Sequence, residues 1–178
     1  MKIEFDPVEA VLEDIRQGKL VIVTDDENRE NEGDLVCAAE KVTPQIINFM
    51  ITHARGLVCA PITEARAKEL NIWRAPSTDH FKTAFTESVD ALSGTTGISA
   101  YDRANTIHAL IDPKCKREDF GIPGHIFPIA ARPGGVSIRS PRRTPIPNGI
   151  RTSRCPPIAA KFSVSTQTIK LFRCVMTL

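Results

Sequence analysis

Leu20-Val21-Ile22-Val23-Thr24-Asp25-Asp26-Glu27-Asn28-Arg29-Glu30-Asn31-Glu32-Gly33-Asp34 is an apolar, β-branched run that stops abruptly at a crowd of acids. Residues 24–34 hold six carboxylates and one arginine. A run of this kind reads as a buried strand that delivers a loop to a site. Carboxylates packed so closely repel one another, so something must offset them. The usual partners are a hard cation such as Mg²⁺, a cationic ligand, or solvent. A solvated acidic loop is the plain alternative. Arg29, Gly33 and Asp34 are interleaved with the acids, which favours a site. Point charge, flexible turn and carboxylate together suit a phosphorylated, hydroxylated substrate beside a metal.

Outward from this run, strands and helices alternate. Residues 7–18 predict a helix, with Val8, Val11, Leu12 and Ile15 at helical spacing, Asp6 as N-cap and Pro7 at the first helical position. Strands are predicted at 20–23, 34–39 and 56–62. Thr43 caps a helix with Ile46, Ile47, Met50 and Ile51 on its buried face, and Thr63 caps another that runs to Leu70. Residues 71–84 read as an irregular loop and 85–91 as a strand. Ser93 to Ser99 is a Gly/Thr/Ser turn, and a helix follows over 100–110 with Ser99 as its cap. Pro123-Gly124-His125 punctuates the chain before an apolar segment, Ile126 to Ala130. The expected class is therefore α/β, of the α+β type, as a single layered domain of alternating strands and helices.

The chain has 178 residues, enough for one domain with a real core. No stretch approaches 18 consecutive apolar residues, so no membrane span is expected. The N-terminus is too acidic and too poor in apolar residues for a signal peptide. Five cysteines, without C-x-x-C spacing, argue against a disulfide framework or a zinc site and fit a reducing cytoplasm. Charge is divided sharply along the chain. Residues 1–119 carry all 21 acids against 14 basic residues, a net of −7, and residues 120–178 carry nine basic residues and no acid. From about Ser140 five prolines break any helix, and Arg142, Arg143, Arg151 and Arg154 share no face. The chain accordingly divides into a domain over 1–139 and a divergent, basic, Pro-rich tail over 140–178, which is expected to stay out of the ordered layers.

Three segments could converge on one site. The acidic run is the first. The second is Gly94-Thr95-Thr96-Gly97-Ile98-Ser99 followed by Asp102-Arg103. There, backbone N–H groups and hydroxyls at a helix N-terminus make an anion cradle to which Arg103 adds charge. The third is His125, which a Pro-Gly turn would hold as a general acid or base near neutral pH. Taken singly, a Gly/Thr turn is more often only a turn, and a lone histidine is more often structural. His53, His80 and His108 have no comparable setting. Cys59, at the end of a predicted strand, reads as a small buried hydrophobe.

Taken together, these residues resemble the 3,4-dihydroxy-2-butanone 4-phosphate synthases of riboflavin biosynthesis. The resemblance is carried by VIVTDDENRENEGDLVCAAEKVT (21–43), HARGLVCAPIT (53–63), TAFTESVDA (83–91), GTTGISAYDRANTI (94–107) and PGHIFPIAARPGGV (123–136). It implies a homodimeric α/β enzyme with its active site at the subunit interface. It also implies Mg²⁺- or Mn²⁺-dependent conversion of ribulose 5-phosphate to 3,4-dihydroxy-2-butanone 4-phosphate plus formate. By the same resemblance Glu30 is a metal ligand, and Arg29, Glu30 and Asp34 contact substrate. Glu32 and Asp34 are further loop carboxylates of the catalytic set, and His125 matches an essential histidine. Thr95, Thr96 and Arg103 match the segment near the substrate phosphate, and Arg139 matches a substrate-binding arginine. These assignments suit the chemistry. A divalent ion stabilises an enediolate as a Lewis acid, a carboxylate or histidine moves protons, and arginine with backbone N–H groups holds phosphate.

The departure from the family is equally sharp. After Arg139 the family continues with Gly-His-Thr-Glu, whose histidine is the second protein ligand of the metal, and a later glutamate is essential. Here Ser140-Pro141-Arg142-Arg143-Thr144 stands in that place, and no glutamate follows Glu118. A shifted reading frame or a gene-model error would give this pattern. The expectation is a synthase impaired in metal binding and turnover. Two other readings compete with it. One is the N-terminal half of a bifunctional riboflavin protein that also carries GTP cyclohydrolase II. The other is a basic-tailed nucleic-acid-binding module, which the near absence of aromatic residues in the tail disfavours.

Overall fold

Strand β1 (Val21–Thr24) ends where the acidic run begins, and β2 (Gly33–Ala38) returns antiparallel to it, pairing Thr24 with Gly33 and Val21 with Val36. The run is therefore the connection between two hydrogen-bonded strands. The structure, a computed structural model, describes residues 6–24, 33–78 and 83–131, together with the strand backbones of 151–154 and 172–177. Residues 25–32, which include Arg29, Glu30 and Glu32, lie outside the described residues, as does Arg139.

The remaining elements follow in the predicted alternation. They are α1 (Val8–Arg16), α2 (Pro44–His53), β3 (Val58–Thr63), α3 (Glu64–Glu69), β4 (Val89–Ala91), α4 (Ala100–Ile111), β5 (Phe120–Ala131), β6 (Arg151–Arg154) and β7 (Phe172–Thr177). Three of the four predicted caps are present, and Asp6 is not a cap. The side chains of Thr43, Thr63 and Ser99 accept hydrogen bonds from the backbone N–H groups of Ile46, Arg66 and Asp102. Pro7 occupies the N-cap position of α1 instead of its first turn, and its carbonyl accepts from Ala10 and Val11.

All seven strands join one mixed sheet in the order β4-β5-β3-β7-β2-β1-β6. Strands β5, β3, β7 and β2 run parallel, and β4 and β1 pair antiparallel with their neighbours β5 and β2. Alternation along β2 shows the layering. Leu35 and Cys37 point into the main core with Ile46, Ile47 and Met50 of α2 and Ala104, Ile107 and Leu110 of α4. Val36 points the other way, into a smaller cluster with Val11 of α1 and Val21. Helices α2 and α4 thus cover one face and α1 the opposite one. Each fully buried aliphatic side chain of this core contributes about 1.5–3 kcal/mol. Among the described residues no helix is long and apolar enough to cross a membrane.

Three local expectations change. The strand predicted over 85–91 is regular only at Val89–Ala91, while Phe85 and Thr86 make isolated bridges to Ile129 and Arg74. Pro123-Gly124 is not a turn but part of the twelve-residue strand β5. Gly124 lies so close to β4 that a Cβ would come within 2.0 Å of the Val89 carbonyl carbon. A strand glycine of this kind marks close backbone approach, here beside the register shift between Val89 and Asp90. The segment 140–178 also enters the sheet twice. Strand β6 is an edge partner of β1, and β7 lies between β2 and β3. A short run such as Phe172 to Thr177 carries no periodicity that separates a strand from irregular chain, so its pairing was not legible beforehand.

Candidate active site

The strand β5 brings His125 against Asp90 of β4. One carboxylate oxygen of Asp90 accepts the backbone N–H of His125 at 2.8 Å, and the other lies 2.6 Å from its ring Nδ1. The His125 side chain keeps 40% of its surface exposed and that of Asp90 only 16%. The ring is therefore open to a ligand while its anchor is sheltered. The hydroxyl of Ser88 accepts the Gly124 N–H at 3.1 Å and fixes the neighbouring peptide.

The Gly94–Gly97 turn closes over the same carboxylate. Gly97 has φ +82°, and a Cβ there would lie 2.0 Å from Asp90 Oδ2. Only glycine satisfies both the left-handed backbone and that approach. The turn is held from its other side by Asp102, in the first turn of α4. Thr95 donates its N–H to Asp102 Oδ1 at 3.0 Å and its hydroxyl to Oδ2 at 2.7 Å. The Thr95 hydroxyl, then its N–H, hold the Asp102 carboxyl below the usual carboxylate range. Thr106 ties α4 to β4, accepting from Ala91 N–H at 2.9 Å and donating to the Asp102 carbonyl at 2.9 Å. One polar framework thus runs from α4 through the Gly/Thr turn to His125.

Of the residues predicted for a site, Thr95 and His125 belong to this framework, and Thr96 and Arg103 stand next to its members Thr95 and Asp102 in sequence. Both donors of Thr95 serve Asp102, so a role at a phosphate would require it to release one. Thr96 is exposed. Arg103 is half-buried, and its Nε is screened from solvent with no hydrogen-bond partner among the described residues. A screened guanidinium N–H favours an acceptor, and an anion most of all. Asp34 sits on β2, three strands from β5 in the sheet, roughly 14 Å at about 4.8 Å per strand. The sequence places Asp102 in the second segment without a role of its own, and it does not single out Asp90. Asp102 stands three residues after the Ser99 cap, a position that signals a helix start, whereas Asp90 gives no sequence signal of its own.

The other singled-out residues are structural. Cys59 is fully buried. His108 Nε2 lies 2.9 Å from the Val42 carbonyl, and His53 packs on the Phe49 ring. Among the described residues no group of three or more His, Cys, Asp or Glu could hold a metal ion. Asp90 and Asp102, the carboxylates of the framework, are already engaged. The described donors by themselves do not fit a divalent cation.

The family model for 3,4-dihydroxy-2-butanone 4-phosphate synthase matches residues 9–142. The riboflavin biosynthesis protein RibBA of Bacillus cereus (strain AH187) is 56% identical over 138 residues, covering 76% of this chain and 35% of that protein. RibBA of Bacillus mycoides (strain KBAB4) is 57% identical over the same length. The chain spans about a third of the length of these relatives. A crystal structure of 3,4-dihydroxy-2-butanone 4-phosphate synthase in complex with two magnesium ions superposes with a TM-score of 0.72 at 43% identity, over 76% of this chain and 65% of that one. RibBX of A. baumannii, a two-domain 3,4-dihydroxy-2-butanone 4-phosphate synthase, gives a TM-score of 0.71 at 50% identity, over 75% of this chain and 40% of that one.

Proposed function

Because this chain belongs to the 3,4-dihydroxy-2-butanone 4-phosphate synthase family of riboflavin biosynthesis, we propose that its site is built to convert D-ribulose 5-phosphate to 3,4-dihydroxy-2-butanone 4-phosphate and formate. The two products together hold all the atoms of the substrate, so no oxidant or second substrate is needed. The observation that carries the reading is His125, exposed at the ring and anchored by Asp90 beside a Gly/Thr turn at the start of α4. A proton-transfer group must be held in a fixed orientation to come within hydrogen-bond reach of the reacting carbon, and the two hydrogen bonds between His125 and Asp90 hold the ring. Thr96, Arg103 and the N-terminal end of α4 are the groups proposed to receive the phosphate. The partnerless Arg103 Nε supports this.

The same reading includes a homodimer with a shared site. It is supported by the strand order, which sets Asp34 three strands from the strand of His125 within one protomer. A metal, Mg²⁺ or Mn²⁺, would be held by Glu30 of the acidic run. The donor set remains short. Ser140-Pro141-Arg142-Arg143-Thr144 lacks the family histidine, and Arg142 would set positive charge beside a cation. We therefore assign no proton or bond step to a metal and propose that turnover by this chain is impaired. The family match ends at residue 142, which supports a change of sequence character near 139, while β6 and β7 of the tail pair within the same sheet and argue against a separate second unit. Five cysteines without C-x-x-C spacing support a reducing, cytoplasmic setting.

A bifunctional relative remains a second reading, favoured by the RibBA matches, of which this chain spans 35%. The test is formate release from ribulose 5-phosphate by the purified chain, with and without Mg²⁺. Slow, Mg²⁺-dependent release fits an impaired synthase. Release at the rate of a complete family member would overturn the impairment. No release even after residues 140–178 are replaced by the corresponding segment of RibBA would overturn the assignment itself.

A further inference from the structure

We propose that Asp90 is a positioning residue that fixes His125 in one tautomer, with the proton on Nδ1 and the lone pair on Nε2. The inference rests on the reading of His125 as the proton-transfer group. An ionised carboxylate can only accept hydrogen bonds. Asp90 faces His125 twice, taking the backbone N–H on one oxygen at 2.8 Å and ring Nδ1 on the other at 2.6 Å. Nδ1 must therefore be the protonated nitrogen, and Nε2 is left as the acceptor on the open part of the ring. An imidazole presented this way can take a proton from a carbon next to a carbonyl. The opposite tautomer would present N–H there and could not.

The carboxylate cannot turn away from this arrangement. Gly97 closes on Oδ2 so tightly that a Cβ would sit 2.0 Å from it. Gly124 lies against the Val89–Asp90 peptide, with a Cβ position 2.3 Å from the Asp90 nitrogen. The two hydrogen bonds to Asp90 also differ in kind, which gives the proposal its sharpest consequence. The backbone N–H of His125 always donates, so the atom of residue 90 that faces it must be an oxygen. In Asp90→Asn that oxygen is the amide carbonyl, and the amide NH₂ then faces Nδ1. Nδ1 must become the acceptor, and the ring proton moves to Nε2. A change of one atom, with little change in shape, inverts the imidazole. Removal of an orienting carboxylate is known to leave a catalytic imidazole in the wrong tautomer.

A merely structural Asp90, bracing β4 against β5, would leave the tautomer indifferent. The experiment is long-range ¹H–¹⁵N spectroscopy of the full chain labelled at histidine, at pH about 9, above the ordinary histidine range. The His125→Gln variant identifies the His125 signals among the four histidines. We expect protonated Nδ1 and bare Nε2 in the unsubstituted chain, and the reverse in Asp90→Asn. Bare Nδ1 in the unsubstituted chain, or the same tautomer in both, overturns the proposal. Should Asp90→Asn fail to fold, the unsubstituted spectrum still decides, because an Nε2–H or mixed ring contradicts the clamp. The readout needs no turnover. An inactive chain with the expected tautomer would therefore count against the proposed activity and not against the role of Asp90.

Discussion

Thr95 spends both of its donors on a single carboxylate, N–H to Asp102 Oδ1 at 3.0 Å and hydroxyl to Oδ2 at 2.7 Å. Those bonds favour the ionised acid, and they lower its pKa in the folded protein. The unfolded chain has no such partner, so its Asp102 titrates near about 4. The contribution is present above that value and is lost as pH falls through the lower, folded value. Urea midpoints measured from pH about 5 down to about 2 should fall more steeply for the unsubstituted chain than for Asp102→Asn. Equal slopes would show that the Thr95 bonds do not hold in solution.

Cys37 has the opposite linkage. Burial pushes its thiol up to about 12. As pH rises through about 9, the unfolded chain releases a proton that the folded chain keeps, and stability drops until about 12. Native protein treated with iodoacetamide at pH about 8 should leave Cys37 unmodified, and urea should expose it. Peptide mass spectrometry reads the site directly. Rapid labelling of Cys37 in the native state would contradict its burial.

Two glycines with positive φ should differ in what they tolerate. Gly18, at φ +78°, has only the Lys41 side chain near a Cβ, at 3.0 Å. The nearest atom is the Lys41 Cβ, which has to give by only a few tenths of an ångström, so Gly18→Ala should cost about 1–2 kcal/mol, chiefly the left-handed backbone penalty. Gly97→Ala adds a collision with the Asp90 carboxylate and should cost more, with broken His125 contacts as well. Chemical denaturation of the two variants ranks them, and an equal cost would mean that the turn moves freely away from β4.

Ser99 accepts the Asp102 N–H at 3.0 Å as the N-cap of α4. Ser99→Ala should destabilise the fold by about 1 kcal/mol, within the usual range for cap removal. Ser99→Asp, which keeps an acceptor and adds negative charge at the helix N-terminus, should recover most of that loss. A thermal melt of the three proteins is sufficient to compare them.

Metal affinity should respond to one residue of the divergent segment. Arg142→His removes a cation and supplies an imidazole at the place where the family carries one. Mg²⁺ binding by calorimetry should tighten by about tenfold or more, roughly 1.4 kcal/mol. An unchanged isotherm would mean that residue 142 lies far from the acidic run.

Much of the molecule was legible because its signals are local. Thr43, Thr63 and Ser99 each precede an apolar helical pattern, and each caps the helix it predicted. The β1 run ends at Thr24, where its β-branched residues give way to acids. Asp90 was not legible. An acid between Val89 and Ala91 looks like the solvent-facing position of an alternating strand, and its meaning comes from His125, which reaches it only through β4–β5 pairing. Pro123-Gly124 misled for a related reason. The pair punctuates sequence wherever it occurs, and only the approach of the neighbouring backbone turns its glycine into a strand residue.

The contact between Gly97 and Asp90 also limits how this sequence can drift. Aspartate is the shortest acidic side chain, so position 90 has no smaller carboxylate to offer if position 97 gains a Cβ. Retention of an acid at 90 commits 97 to glycine, and a bulkier residue at 97 must be matched by loss of the acid. An acid on β4 thus restricts a glycine of the turn that follows it. Homologues in which position 97 carries a side chain should have abandoned the acid at 90.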